Sequence, residues 1–378
     1  SASTLFPTMA SIPRRRKRSA VERVPEEVSF SVMEHVSAPP LIIQGGMGAA
    51  VSDWRLARAV SRGGQLGVVS GTGIDTVLVR RLQDGDPGGH MRRAMECFPI
   101  RRAAEQAAHR YYRFHGLPAG EPYTMLPVPR QVMSPAQQEL TMLAAFVEVF
   151  LAKEGHDAPV GMNLLTKIQL PTLATLYGAM LAGVDYVLMG AGIPREIPGV
   201  LDQLVEHPPA RLRFEVEGLA HDAAEYLTLD PRAHWDASPP PLRRPNFLPI
   251  VASHSLAIML ARKATGAVDG FVIEGPTAGG HNAPPRGAEQ LNARGEPVYG
   301  TRDEVDLAKI RALGLPFWIA GGAGRPSRLR AARAAGAAGI QVGTLFAYCD
   351  ESGLADALKR SVLAHAVQTY PYWDQTRS

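Results

Sequence analysis

His281 closes the run Ala278-Gly279-Gly280-His281. A histidine beside a Gly-Gly turn adds nothing to a hydrophobic core, and an imidazole titrating near about pH 6.5 transfers protons at neutral pH. Its structural alternative is to brace the loop. Glu274 and Arg286 flank the same stretch. Glu274 is suited either to orienting a ligand hydroxyl or to a structural ion pair. Asn163 lies between Met162 and Leu164 in an otherwise apolar run. A buried amide must find partners, which either the backbone or the polar edge of a cofactor ring would supply. Lys167, shortly after it, either reaches a phosphate or is solvated. His254 falls where a helix should begin, and His90, His109, His115 and His156 fall in a long connecting segment.

Glycine clusters recur after short apolar runs. They are Gly45-Gly46-Met47-Gly48, Gly71-Thr72-Gly73, Gly190-Ala191-Gly192, Gly279-Gly280, Gly321-Gly322-Ala323-Gly324 and Gly343-Thr344. Glycine lets backbone N–H groups approach a ligand closely and form anion-binding nests. Any one cluster is equally well a tight turn; their recurrence, with a pair after the last two apolar runs, points to a phosphorylated cofactor. A dinucleotide fingerprint is not complete: Val51 and Thr76 stand where the third glycine of G-x-G-x-x-G belongs. H-E-x-x-H, C-x-x-C and G-x-S-x-G are absent, so neither metal hydrolysis nor serine-hydrolase chemistry has support, and no metal site is expected.

The clusters need elements to hold them. Apolar runs at 41–43, 66–69, 160–165, 186–189, 247–252, 270–273, 316–320 and 339–342 read as strands. Helical patterns alternate with them, over about 53–62, from about 75, then over 172–181, 195–205, 255–263, the Ala/Arg-rich stretch after 324, and 353–363. Eight βα units close a barrel, so the expected fold is α/β, a (β/α)8 TIM barrel with glycines at the strand ends where barrel enzymes place their sites. Two large insertions are expected: 85–157, with helical patterns over 101–113 and 136–153, and the Pro-rich stretch 207–246. A long loop follows the sixth strand at 282–300. Long segments in a barrel serve as lids or as contacts in a homo-oligomer.

With 378 residues, 46% of them apolar, the chain has enough side chain for a large core. No apolar run reaches the roughly 18 residues that span a bilayer, and two cysteines build neither a disulfide framework nor a zinc cluster. A cytoplasmic protein without membrane partners is expected. The net charge of +4 resides in one basic run, Arg14-Arg15-Arg16-Lys17-Arg18, without which the chain is nearly neutral. No nucleic-acid partner is therefore expected. Residues 1–38 read as a basic, disordered leader, 39–365 as the barrel and 366–378 as an irregular tail.

Four segments together resemble the nitronate monooxygenase (2-nitropropane dioxygenase-like) family. They are Ile42-Ile43-Gln44-Gly45-Gly46-Met47-Gly48, Gly275-Pro276-Thr277-Ala278-Gly279-Gly280-His281, Trp318-Ile319-Ala320-Gly321-Gly322 and Ile340-Gln341-Val342-Gly343-Thr344, collinear over about residues 40–355. The resemblance implies an FMN-binding TIM barrel. Its FMN phosphate would lie on the backbone of Gly321, Gly322, Gly343 and Thr344. Ala278, Gly279 and Gly280 would line the cofactor, Met47 would lie beside the ring, and Asn163 would hold its polar edge. His281 matches the family's catalytic histidine, a base or anion-orienting group. The implied reaction is oxidation of an alkyl nitronate, a small-molecule substrate, with O₂ to a carbonyl compound and nitrite.

The sequence departs from the pattern at Gln44-Gly45-Gly46-Met47, where simpler members carry a Gly-Pro-Met type turn, and in its long insertions. These features are also similar to relatives that act as NAD(P)H-dependent flavin enoyl-thioester reductases of fatty-acid or polyketide synthesis. The two alternatives to a nitronate monooxygenase are thus such a reductase and a non-catalytic barrel that binds a phosphorylated ligand.

Overall fold

The first apolar run forms β1 (Ile42–Gln44). The computed structural model describes residues 38–220, 223–279, 283–287 and 290–369. The basic run at 14–18, Gly280, His281 and the end of the tail from 370 lie outside the described residues. After β1 come α1 (Trp54–Arg62), β2 (Gly67–Ser70), α2 (Ile74–Gln83), α3 (His90–Glu96), α4 (Arg101–Tyr111) and α5 (Pro135–Lys153). The middle of the chain forms β3 (Val160–Leu165), α6 (Thr172–Leu181), β4 (Tyr186–Gly190), α7 (Ile197–Val205), β5 (Ala210–Phe214) and β6 (Glu225–Leu229). Then follow β7 (Asn246–Val251), α8 (His254–Lys263), β8 (Phe271–Glu274), α9 (Leu307–Arg311), β9 (Phe317–Ala320), α10 (Pro326–Ala334), β10 (Gly339–Val342), α11 (Thr344–Ala347) and α12 (Asp356–Thr369).

Eight parallel strands run around the ring in the order β1-β10-β9-β8-β7-β4-β3-β2. The remaining seam, between β2 and β1, has only an isolated bridge between Ile43 and Leu66. Gln44 N donates to Leu66 O at 2.9 Å and Leu66 N to Ile42 O at 3.1 Å. Side-chain amides extend this seam: Gln65 Oε1 accepts from Ile42 N at 2.8 Å, and Gln44 Oε1 from Val68 N at 2.9 Å. Gln44 is fully buried, and its Nε2 is satisfied by Gly45 O and Ser52 Oγ, as a buried amide requires. The expected (β/α)8 barrel is the observed fold.

Ile43, Val68, Leu188, Leu248, Val272 and Trp318 fill the barrel interior. Trp318 keeps its indole N–H satisfied by donating to Pro40 O at 2.7 Å. Such layers of alternating large side chains make the lumen a packed core.

Two segments differ in detail from the sequence expectation. The helical pattern at 136–153 lies within the span read as an insertion, yet α5 packs between α1 and α6 and against β2 and β3. It is the second helix of the barrel wall, and α2, α3 and α4 are the added layer outside it. The capping box of Ser134 and Gln137, with Pro135 in the first turn, starts α5. Within 207–246, β5 and β6 pair antiparallel as a ribbon. The strand alternation there spans only five residues, buried at Ala210 and Leu212 and exposed at Arg211 and Arg213, which is too short to stand out against the surrounding prolines. The last helical pattern, read over 353–363, forms α12, which runs on to Thr369 into the stretch read as an irregular tail, and the short α11 precedes it. No described helix is long and apolar enough to cross a membrane.

Candidate active site

The carboxyl ends of all eight barrel strands open into one cleft of about 1930 Å³. β1 delivers Gly45 to Gly48, β2 Ser70, β3 Asn163, β4 Gly190 and Ala191, and β7 Ile250. β8 delivers Glu274 and the loop to Gly279, β9 the run from Ala320 to Gly324, and β10 Gln341 to Thr344. Met47, Asn163, Ala278, Gly279, Gly321, Gly322, Gly343 and Thr344, eight residues singled out from the sequence, therefore share one cavity. Gly280 and His281 lie outside the described residues.

Ser52 pins the first loop: its hydroxyl accepts from Met47 N at 3.0 Å and lies 3.4 Å from Gly45 O. This loop presses onto β3. A Cβ at Gly46 would lie 2.3 Å from the Asn163 Cβ, so only glycine fits there. Asn163 Nδ2 donates to Leu164 O at 2.9 Å, which is the backbone pairing its position allowed. Its Oδ1 is bonded to none of the described residues.

The loops after β8 and β9 also touch. Gly321 has φ +97°, and a Cβ on it would lie 2.8 Å from Ala278 N; Gly322 has φ +56°. Both conformations are in the region that favours glycine. The N–H groups of Gly322 and Gly343 donate to no acceptor among the described residues. They form an unsatisfied donor set at the cleft wall, as an anion-binding backbone requires. Arg325, Arg328 and Arg330 line the cleft just beyond.

Gln341 is the site residue that motif reading passed over. It lies on β10 with its side chain against Gly45, and its Oε1 is buried with no hydrogen-bond partner among the described residues. A polar residue inside an apolar strand, as with Asn163, was the available signal. An orphan acceptor is costly, and a ligand donor in the cleft would relieve it. The open donors at the glycines, the close backbone approaches and this orphan acceptor together fit a flavin.

Glu274 ends β8 and lines the cleft. Burial pushes its carboxyl up to about 7, because no cation offsets the desolvation. Arg286 does not pair with it: its Nη1 donates to Arg302 O at 2.8 Å and its Nη2 to Ala252 O at 3.1 Å. Lys167 is exposed and outside the cleft. His254 begins α8 and accepts from Asp306 N at 3.4 Å, bracing α9. Among the described residues no group of three or more His, Cys, Asp or Glu is placed to hold a metal ion.

Residues 246–370, from β7 to the last helix, match the nitronate monooxygenase family model. The family resemblance read from the motifs is borne out over that stretch. No curated protein matches the chain. Some solved structures are similar to it at low identity. FabK from Thermotoga maritima has a TM-score of 0.46 at 18% identity, over 86% of this chain and 64% of that one. A nitroalkane oxidase from Streptomyces ansochromogenes has a TM-score of 0.43 at 18% identity, over 86% of this chain and 70% of that one. The enoyl reductase domain of MlnA from Bacillus amyloliquefaciens has a TM-score of 0.41 at 13% identity, over 85% and 56%. This chain thus spans less than two thirds of the Thermotoga structure.

Proposed function

We propose that this chain is a flavin-dependent oxidoreductase that holds FMN in the strand-end cleft and oxidises alkyl nitronates with O₂. The observation that carries this reading is the convergence in one cleft of three features a flavin needs. These are unsatisfied backbone donors at Gly322 and Gly343, the tight Gly46–Asn163 approach, and the orphan Gln341 acceptor. The family match over β7 to β10 supports it independently.

In this reading Gly321, Gly322, Gly343 and Thr344 cradle the phosphate through their backbone. Ala278, Gly279 and Gly280 flank the cofactor, and Met47 lies beside its ring. Asn163 and Gln341 offer amide acceptors to its polar edge. When bound, FMN supplies the electron transfer between substrate and O₂. His281, which follows β8 in the sequence, acts on the substrate as a base or anion-orienting group.

A second reading, an enoyl-thioester reductase using NAD(P)H, draws on the arginines at the cleft rim. Arg325, Arg328 and Arg330 suit a phosphate-bearing co-substrate. Titration of the purified protein with FMN tests the shared premise. A perturbed flavin absorption spectrum is expected, and an unperturbed one defeats both readings. Nitrite release from propane-2-nitronate then separates the first reading from NAD(P)H consumption with a crotonyl thioester.

A further inference from the structure

Glu274 is the wall shared by the main cleft and a second cavity of about 210 Å³. Apolar groups of Ala252, Leu256, Pro276, Ala283 and Pro284 line most of this smaller cavity. Its other polar side chains are engaged within the protein. Ser253 Oγ caps α8 by accepting from Leu256 N at 3.0 Å. Asp303 accepts from Arg286 N at 2.7 Å and Gly300 N at 2.8 Å, and these bonds hold its carboxyl below the usual range. Arg286 donates to two carbonyls, and the Tyr299 hydroxyl donates to Ala283 O at 3.0 Å. The Glu274 carboxyl is the one left with no partner among the described residues.

Among the described residues, few charged and titratable groups face it. Arg286, Tyr299 and Asp303 stand around the small cavity, and Arg325, Arg328, Arg330 and Tyr348 line the cleft on the other side. None of them offsets the desolvation of Glu274, so burial keeps a proton on it below neutral pH. A protonated carboxylic acid in an apolar wall is a hydrogen-bond donor. The cavity is also smaller than the roughly 300–1,000 Å³ typical of sites for larger ligands.

We propose that this cavity is the substrate subsite of the flavin cleft, and that Glu274, as a neutral acid, donates a hydrogen bond to an acceptor oxygen of a small, largely apolar substrate. The proposal rests on reading the main cleft as the flavin site. A nitronate oxygen and a thioester carbonyl both present such an acceptor, and ionisation of Glu274 opposes both. The anion suffers added repulsion, so its affinity should fall more steeply as pH rises.

The test is calorimetric binding of propane-2-nitronate and of crotonyl-N-acetylcysteamine to FMN-loaded protein under anaerobic conditions, across about pH 6 to 8.5. Wild type, Glu274→Gln and Glu274→Ala are compared. For at least one ligand, wild-type affinity should drop by about tenfold as pH rises through the Glu274 transition. Glu274→Gln keeps a neutral donor and should hold its affinity flat. Glu274→Ala should bind about tenfold more weakly than wild type at the low end. The ligand with the pH-dependent affinity identifies the substrate class. Wild-type affinities that do not vary with pH, or a Glu274→Ala protein that binds as well as wild type, overturn the proposal.

FMN retention, read from visible absorbance in all three proteins, reports on the flavin reading separately. Infrared difference spectra of flavin-free wild type against Glu274→Gln should show a protonated-carboxyl band lost as pH rises through about 7. Its absence overturns the assignment of Glu274 as a neutral donor even if flavin binds.

Discussion

A Cβ placed on Gly46 would lie 2.3 Å from the Cβ of Asn163, so the loop after β1 and the third strand meet with no room for a side chain. This contact sets where the Asn163 amide stands in the cleft. Gly46→Ala should displace Asn163 or the loop at an overpacking cost of about 1–3 kcal/mol. Flavin affinity should weaken by roughly tenfold or more, measured by FMN fluorescence titration, while far-ultraviolet circular dichroism stays unchanged.

Gly321 and Gly322 differ in a way that orders their variants. Both have positive φ, but only at Gly321 would a Cβ meet backbone, 2.8 Å from Ala278 N. Gly321→Ala should therefore cost more stability than Gly322→Ala, whose left-handed backbone alone costs about 1–2 kcal/mol. Denaturant midpoints give the order. Gly322→Val, with a branched side chain over the proposed phosphate cradle, should abolish FMN retention on desalting.

Gln341 supplies a prediction with opposite signs in two states. Its buried Oε1 has no partner among the described residues, a penalty of about 1–3 kcal/mol in the flavin-free protein. Gln341→Leu should leave the flavin-free protein as stable as wild type or more so, yet bind FMN less tightly. Thermal melts with and without FMN measure both. A fall in the flavin-free melting temperature would contradict the reading of Gln341 as an acceptor held for a ligand.

His281→Ala should retain bound FMN and lose turnover by about 10²–10⁴-fold, the usual contribution of a positioned acid or base. Steady-state rates on FMN-loaded protein check this, and unchanged turnover would remove His281 from the mechanism.

The charge cluster beneath the first loop is structural. Arg81 forms ion pairs with the buried Asp53 and Glu148, and Glu148 also accepts from Trp54 N at 2.9 Å. Burial drives the Glu148 carboxyl up despite the guanidinium. Arg81→Met leaves the buried Glu148 without its cation and Asp53 with Arg55 as its remaining partner, and should cost about 3–5 kcal/mol. The loss should be larger at neutral than at acid pH. Protonation relieves the unpaired carboxylate, so the variant's denaturant midpoint should approach wild type as pH falls.

Local chemistry made much of the site legible. Glycine is demanded by positive φ at Gly321 and Gly322 and by close approach at Gly46, and each of these needs marks its own position in the chain. The alternation of short apolar runs with helical patterns likewise implied eight parallel strands, because a barrel repeats one local unit. The sequence alone therefore determined the barrel, the face that carries the site and most residues of the cleft wall.

Only the tertiary structure decided which helix builds the wall after β2: α2 and α5 both bury apolar residues, and it is α5 that packs against α1 and α6. It also decided what Gln341, Arg286 and Glu274 do. Whether a polar group is satisfied depends on partners far along the chain: Arg286 is taken up by carbonyls at Ala252 and Arg302, while among the described residues Gln341 Oε1 finds no partner and Glu274 is left desolvated and alone. Hydrogen-bond satisfaction and desolvation are properties of the packed molecule, so they emerge only when the strands close around the cleft.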